Sequence, residues 1–159
     1  MLLGFDQSYT SSGFCVVDDQ KNVITFGTYK TDKSQDIYGR AIQVSAFVSS
    51  MITTYNITNV HIEGLAFGIR GDATRDLAGL LFTVITSVRV KHPTVVCDII
   101  APTSLKKFAT GSGKADKAQM IASVPVDILT TFSEKFKKTT GLADICDAYF
   151  LATFPPNDK

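Results

Sequence analysis

The sequence is poor in cysteine, in histidine and in long apolar runs. Its three cysteines, Cys15, Cys97 and Cys146, lie far apart among apolar residues and have no zinc-ligand spacing. We therefore expect free buried thiols in a reducing compartment. No apolar stretch is long enough to span a bilayer, and the N-terminus lacks the basic and then apolar pattern of a signal peptide. These absences predict a soluble, cytosolic protein that does not bind a membrane.

Neither of the two histidines is a strong candidate for a catalytic base. Strand alternation puts His61 on the same face as Glu63, but a lone histidine is more often structural. His92 precedes a proline in a predicted turn. The formal net charge of +1 is also uninformative, because nucleic-acid binding depends on whether the lysines cluster.

The hydrophobic pattern of the 159 residues predicts one α/β domain that spans residues 1–159. Three strands joined by short turns predict an antiparallel meander, and two later strands alternate with helices. Right-handed crossovers place the fourth strand parallel to the first. The prediction is a mixed five-stranded sheet with helices on both faces. The five strands are expected at 2–8, 13–18, 23–29, 59–63 and 95–100.

The helix predicted from Asp72, as its N-cap, to about Lys91 is apolar around much of its girth. A helix of this kind packs on two sides. One side fits the sheet, and the other fits either the interior of the monomer or a second subunit.

Four acidic residues occupy positions where buried elements should have none. Asp6 and Glu63 end the first and fourth strands, and Asp144 and Asp147 lie three residues apart on one face of an apolar helix. A water-facing amphipathic helix would also explain the last two. If the two strands are neighbours, however, Asp6 and Glu63 emerge side by side, and a helix crossing that end of the sheet could bring in Asp144 and Asp147. Buried carboxylates gathered in this way need a cation. Oxygen ligands favour Mg²⁺ or Mn²⁺, and two such ions could promote phosphoryl transfer.

One stretch combines glycines with a cluster of lysines and runs into a helix. Glycines let backbone approach a phosphate, and lysines neutralise it, so we expect phosphate contact rather than a merely solvated loop. The lysines concerned are Lys106, Lys107, Lys114 and Lys117. A later group, Lys135, Lys137 and Lys138, is more typical of a solvated face, with auxiliary DNA contact as the alternative.

Four motifs in order resemble the RuvC Holliday-junction resolvases of the RNase H-like superfamily, and the resemblance covers most of the chain. The motifs are residues 3–8 with 12–14, residues 60–63, Ala101-Pro102 followed by Lys106 and residues 111–117, and residues 144–148. A single such motif is weak evidence, whereas the ordered set is specific.

The resemblance implies an RNase H-like fold and a homodimer formed through helix 72–91. It also implies paired, magnesium-dependent nicks in four-way DNA junctions, with two ions per site and Mn²⁺ able to substitute. Its four acidic ligands fall on Asp6, Glu63, Asp144 and Asp147. Its two catalytic lysines fall on Lys106 and Lys117, with Lys107 as the alternative to Lys106.

The chain also departs from the family pattern. Cellular members carry an aromatic residue at the junction centre where this chain has Ala66, so Phe67, with Arg70 nearby, is the candidate for that DNA contact. Gln7 and Ser8 replace the usual Pro-Gly. These departures resemble phage-borne members, which implies a bacterial cytosol or a phage-infected cell.

Other interpretations remain open from the residues alone. They are a sugar-kinase-like nucleotide-binding protein, a junction-binding module without activity, and an RNase H-like nuclease that acts on RNA–DNA hybrids or on duplex DNA. The first normally needs two domains, and the second predicts the loss of at least one acid.

Overall fold

The computed structural model describes residues 1–65, 71–136 and 139–155. Within these ranges the order of strands and helices agrees with the prediction. No described helix is both long and apolar enough to cross a membrane. The elements are β1 (Leu2–Asp6), β2 (Ser11–Val17), β3 (Val23–Lys30), α1 (Ile37–Tyr55), β4 (Asn59–Glu63), α2 (Asp72–Lys91), β5 (Val96–Ile100), α3 (Pro102–Thr110), α4 (Lys117–Ala122), α5 (Val126–Lys135) and α6 (Thr139–Thr153).

The five strands form one mixed sheet in the order β3-β2-β1-β4-β5. The β1–β2 and β2–β3 pairs are antiparallel, and the β1–β4 and β4–β5 pairs are parallel. The predicted meander and the predicted parallel direction of the first and fourth strands are both confirmed, and the two strands are also neighbours in the sheet. The carboxyl ends of β1 and β4 therefore meet at one edge of the sheet.

Helices cover both faces of this sheet, as predicted. Helices α1 and α2 pack on the face that carries Leu3 and Phe5, which are fully buried with Val60 and Ile62 of β4. Helix α6 packs on the opposite face, where Ala148 and Ala152 contact Cys15 and Val17 of β2. Period-two alternation along β1 then puts Gly4 and Asp6 on the α6 face.

Helix α6 lies unusually close to β1 because position 4 is a glycine. A β-carbon at Gly4 would lie 3.0 Å from the Cα of Ala152 and would overlap the carbonyl oxygen of Ala148. Only a residue without a side chain permits this approach. The close contact fixes how far α6 stands from the carboxyl end of β1.

Several predicted boundaries were wrong; β1, for example, ends at Asp6 rather than at residue 8. Asp72 is the first residue of α2 rather than its N-cap, which is Gly71 with φ 146°, and the Asp72 carboxylate forms an exposed ion pair with Arg75 at 3.1 Å. Strand β2 begins at Ser11 rather than at Gly13. The polar composition of residues 9–13 predicted a turn. Ser11 and Ser12 nevertheless belong to the strand, since they are paired with Lys30 and Tyr29 of β3.

Candidate active site

Asp6 and Glu63 end two neighbouring parallel strands. The last paired residues of β1 and β4 are Phe5 and Ile62, so the two acids follow immediately, side by side. Alternation directs both toward the α6 face, since Phe5 and Ile62 are buried on the other face. The predicted meeting of these two carboxylates at the sheet edge is therefore what the structure shows.

Helix α6 brings Asp144 to the same edge through a contact with β2. Asp6 is paired with Gly13 across the β1–β2 ladder, and Gly13 lies directly against the backbone of Asp144. One turn further along α6, Asp147 lies on the same helix face. The alternative of a water-facing acid pair is excluded, because both residues line a cleft together with Asp6 and Glu63.

The cleft has a volume of about 400 Å³ and is lined by acids, two lysines and a few apolar residues. Lys106 reaches it from α3, and Lys117 reaches it as the first residue of α4. A capping box holds the start of α4: the Asp116 carboxylate accepts the Gln119 backbone N–H at 2.8 Å, and the Gln119 side-chain oxygen accepts the Asp116 N–H at 2.9 Å.

Burial and the closeness of the other acids raise the pKa values of the carboxyl groups in the cleft. Burial raises the pKa of Asp6 well above its usual range, and repulsion by Glu63, Asp147 and Asp144 raises it further. Burial also raises the pKa of Glu63 to about 7 and that of Asp147 to about 6. The pKa of Asp144 is raised by burial as well, and Lys117 opposes this rise.

The two lysines offset only part of this negative charge. Lys117 lowers the pKa of Asp147, and Lys106 lowers that of Glu63. Within the described ranges, neither lysine forms a direct ion pair with the four acids. Five acids, Asp116 included, line the cleft against two lysines. Additional positive charge would therefore stabilise the site.

The donor set fits a hard divalent cation, but the ligands are not already arranged around one. All four acids offer carboxylate oxygens, which Mg²⁺ and Mn²⁺ prefer. In the described part of the chain, however, no three carboxylate, imidazole or thiolate groups are gathered about a single point as ligands. This spread is expected for carboxylates that repel one another.

The remaining predicted DNA contacts are placed less centrally. Lys107 and Lys114 are exposed and do not line the cleft, so the geometry favours Lys106 over Lys107. Phe67 and Arg70, like Lys137 and Lys138 of the later lysine group, lie outside the described residues.

The histidines lie outside the cleft, in structural positions. His61 is fully buried, and its Nδ1–H donates to the Leu151 carbonyl at 2.9 Å. His92 shares a hydrogen bond with the Ser49 hydroxyl at 2.7 Å.

Sequence reasoning did not identify Gln7 as a residue that supports this site. Gln7 follows Asp6 directly, and its side-chain Nε2 donates to the Glu63 backbone carbonyl at 3.2 Å. The signal was present as a polar residue within a predicted buried strand, but it was interpreted only as a departure from a family pattern. Thr74 and Leu77 of α2 also line the cleft, and nothing in the sequence indicated this.

The family model described as crossover junction endodeoxyribonuclease RuvC matches residues 2–153. The chain belongs to the RuvC family. It is therefore a crossover junction endodeoxyribonuclease, and this membership decides against the sugar-kinase-like alternative. A RuvC from Petrotoga mobilis is 26% identical over 156 residues, which cover 96% of this chain and 90% of that protein.

Solved RuvC structures share the fold of this RuvC-family chain. The Thermus thermophilus RuvC structure superposes with a TM-score of 0.70 at 18% identity, covering 95% of this chain and 90% of the other. The Thermus thermophilus RuvC in complex with a Holliday junction substrate superposes with a TM-score of 0.67 at 15% identity, covering 95% and 88%. The predicted RNase H-like fold is thus confirmed.

Proposed function

We propose that this RuvC-family nuclease resolves four-way DNA junctions with divalent metal ions held by Asp6, Glu63, Asp144 and Asp147. The observation that carries the proposal is the convergence of these four acids, from three separate elements, on one cleft that two lysines also line. Nucleases of this family are metal-dependent as a class. We propose two ions per site, Mg²⁺ in the cell, with Mn²⁺ able to substitute.

The roles of the acids follow from their burial and charge. Deprotonated, they present oxygen ligands on one side of the cleft. When bound, divalent cations would supply activation of the attacking water and stabilisation of the departing 3′ oxygen. Attack on phosphorus with cleavage of the bond to the 3′ oxygen leaves 5′-phosphate and 3′-hydroxyl ends.

The lysines act on the substrate side of the same cleft. Lys106 of α3 and Lys117 of α4 line the cleft together with Asp6 and Glu63, so a phosphate bound in the cleft gains charge neutralisation where negative charge builds up. Lys107 and Lys114 are exposed and suited to contact with the DNA backbone farther out. Phe67 and Arg70 stay candidates for DNA contact near the junction centre.

We propose a homodimer formed through α2, with one cleft for each of two opposing strands. Phe82 and Val90 of α2 are 66% and 74% exposed, whereas Leu80, Leu81, Val84 and Val88 of the same helix are buried in the monomer. The monomer thus uses one side of α2 and leaves large apolar side chains on another, which suits a partner subunit. Paired nicks require two such sites on one junction.

We propose that each subunit works as a single nuclease domain over residues 1–159 and acts in the cytosol of a bacterium or a phage-infected cell. Cys15, Cys97 and Cys146 are all free thiols, which suits a reducing compartment.

One cleavage experiment tests this proposal. The protein is incubated with a fixed four-way junction, a fork, a linear duplex and an RNA–DNA hybrid, each with Mg²⁺ and each with chelator. We expect paired nicks in the junction with Mg²⁺, weaker cutting of the fork, and no cutting with chelator. Preference for the hybrid or the linear duplex would contradict the proposed substrate, and cutting in chelator would contradict the metal.

A further inference from the structure

Gln7 extends the connection between β1 and β4 beyond the end of their ladder. The paired residues of the two strands stop at Phe5 and Ile62, and Asp6 and Glu63 come next. Gln7 is the first residue after β1, and its side-chain amide N–H donates to the backbone carbonyl of Glu63 at 3.2 Å. A single side chain thus ties the residue after Asp6 to Glu63 itself.

This amide is costly to the fold. Gln7 is 9% exposed, and its Oε1 has no hydrogen-bond donor among the described residues. A buried polar atom without a partner destabilises a protein, whereas an apolar side chain of similar length carries no such penalty. The local packing alone would therefore favour a methionine or a leucine at this position.

The connection joins β1 and β4 at the point where their ladder has ended. The β1–β4 ladder pairs stop one residue before Asp6 and Glu63, whose carboxylates repel each other when both are deprotonated. Asp6 is paired with Gly13 of β2 and Glu63 with Ile100 of β5, so each acid is held on its outer side. These outer pairings do not fix the separation between the two acids, whereas the hydrogen bond from Gln7 links the two strands directly at this level. Gln7 restrains the Glu63 backbone from the β1 side, through the main-chain carbonyl rather than through the carboxylate.

We propose that Gln7 is a positioning residue that holds Asp6 and Glu63 at the separation needed to bind a divalent cation together. The inference rests on the proposed function, because it gives that site a further supporting residue. Gln7 contacts neither metal nor DNA in this account. Its loss lowers the affinity for the metal, because part of the binding free energy must then be spent on bringing the strand ends together.

The test is a calorimetric titration of Mn²⁺ alone, without DNA, into the full chain. Gln7→Met keeps the length and burial of the side chain and removes the donor, and Gln7→Leu serves as a second variant with the same loss. Ser45→Ala is the matched control, because Ser45 is a buried polar residue of α1 whose hydroxyl also has no partner within the described ranges. Thermal unfolding in chelator is measured for each protein.

We expect Gln7→Met to raise the Kd for Mn²⁺ roughly fivefold, the scale of one hydrogen bond. Ser45→Ala should leave the Kd unchanged, and the Tm of Gln7→Met in chelator should stay within a few degrees of wild type. In cleavage assays the half-saturating Mn²⁺ concentration should rise equally, with the rate at saturating metal nearly restored.

The possible failures point to different errors. An unchanged Kd in both Gln7 variants would overturn the positioning role while leaving the proposed function intact. An equal rise of the Kd in Ser45→Ala would show that any disturbance of the buried residues has this effect, and it would also overturn the positioning role of Gln7. Absence of Mn²⁺ binding by the wild type, together with wild-type junction cleavage by Asp6→Asn, would overturn the proposed metal site itself.

Discussion

Gly13 of β2 lies against the backbone of Asp144 in α6, and no side chain fits between them. A β-carbon at position 13 would lie 2.6 Å from the Asp144 carbonyl carbon and 3.1 Å from its Cβ. Gly13 is also the residue paired with Asp6. This contact therefore sets the distance between an acid of the sheet and an acid of the helix.

Gly13→Ala should move α6 away from the sheet edge and reduce cleavage about a hundredfold, since a shift of about 1 Å in catalytic groups has an effect of this size. Overpacking should also lower the free energy of unfolding by about 1–3 kcal/mol. Junction binding, which depends on the lysines, should be retained. The measurements are single-turnover cleavage and denaturant unfolding, with Ser11→Ala in the same strand as the control. Wild-type cleavage by Gly13→Ala would show that the contact does not position Asp144.

Asp6→Asn and Asp147→Asn should each reduce cleavage by more than about a hundredfold, because even outer-shell partners of a metal site are worth about 10- to 100-fold. Junction binding in Ca²⁺ or chelator should persist. Asp98→Asn is the matched control: Asp98 is a carboxylate of β5 next to His61, 3.7 Å from its Nε2, and is not among the residues that line the cleft. Full activity in either cleft variant would refute the assignment of the four acids.

The raised carboxyl pKa values make the stability of the metal-free protein depend on pH. For Glu63, which has a pKa of about 7 against 4.5 in the unfolded chain, and for Asp147, at about 6 against 3.8, the folded state binds the proton more tightly. Their stabilising contribution is present below pH 4 and is lost as the pH rises to about 7. The Tm in chelator should therefore fall over this range.

His61 contributes a slope of the opposite sign, because burial lowers its pKa. The comparison that isolates the cleft is thus wild type against Asp147→Asn, whose Tm should fall less steeply with pH. The Tm gain from Mn²⁺ should grow between pH 6 and pH 8, since the metal binds the deprotonated carboxylates. A steeper fall of Tm in Asp147→Asn than in wild type would contradict the raised pKa of this residue.

Two adjacent lysines of α3 should behave differently. Lys106 lines the cleft, and Lys107 is exposed outside it. We expect Lys106→Ala to slow cleavage of bound junction about tenfold or more, through lost stabilisation of the transition state. Lys107→Ala should weaken binding modestly and leave the single-turnover rate unchanged. Lys117→Ala should resemble Lys106→Ala, and a pure binding defect in either would place that lysine away from the scissile phosphate.

The proposed dimer predicts a specific effect at Phe82. A carboxylate placed in an apolar subunit interface strongly destabilises the dimer. Phe82→Asp should therefore sediment as a monomer, and it should nick the two opposing strands of a junction independently. Tyr38→Asp is the control, since Tyr38 is an aromatic residue of α1 that is 77% exposed. A wild-type sedimentation coefficient for Phe82→Asp would exclude this face of α2 from the interface.

The sheet and the convergence of the acids could be predicted because each rests on local patterns. Short turns indicated the meander, and the right-handed crossover rule placed β4 parallel to β1. That the two strands are neighbours was a condition of the prediction, which the sheet order meets. Under that condition the acids at the ends of β1 and β4 were expected side by side, and a helix crossing the same end of the sheet could bring in the two acids of α6. Lys106 and Lys107 could not be ranked from sequence, because adjacent helical residues differ by about 100° in direction and the helix orientation depends on tertiary packing.

The close approaches at Gly4 and Gly13 and the hydrogen bond of Gln7 were beyond sequence reasoning. A glycine in a strand suggests a bulge as readily as a close neighbour, and only the position of α6 distinguishes the two. Likewise, a single glutamine does not reveal which carbonyl it binds. These contacts join segments that are far apart in the chain, and the spacing of residues in a single sequence does not indicate such contacts.

The most direct test of the central claim is the anomalous scattering of manganese in crystals of the protein soaked with Mn²⁺. The account predicts a peak within the cleft, in contact with carboxylate oxygens of Asp6 and of at least one of Glu63, Asp144 and Asp147. Absence of any peak there, at a Mn²⁺ concentration that supports junction cleavage in solution, would contradict the assignment of these four acids as the metal site.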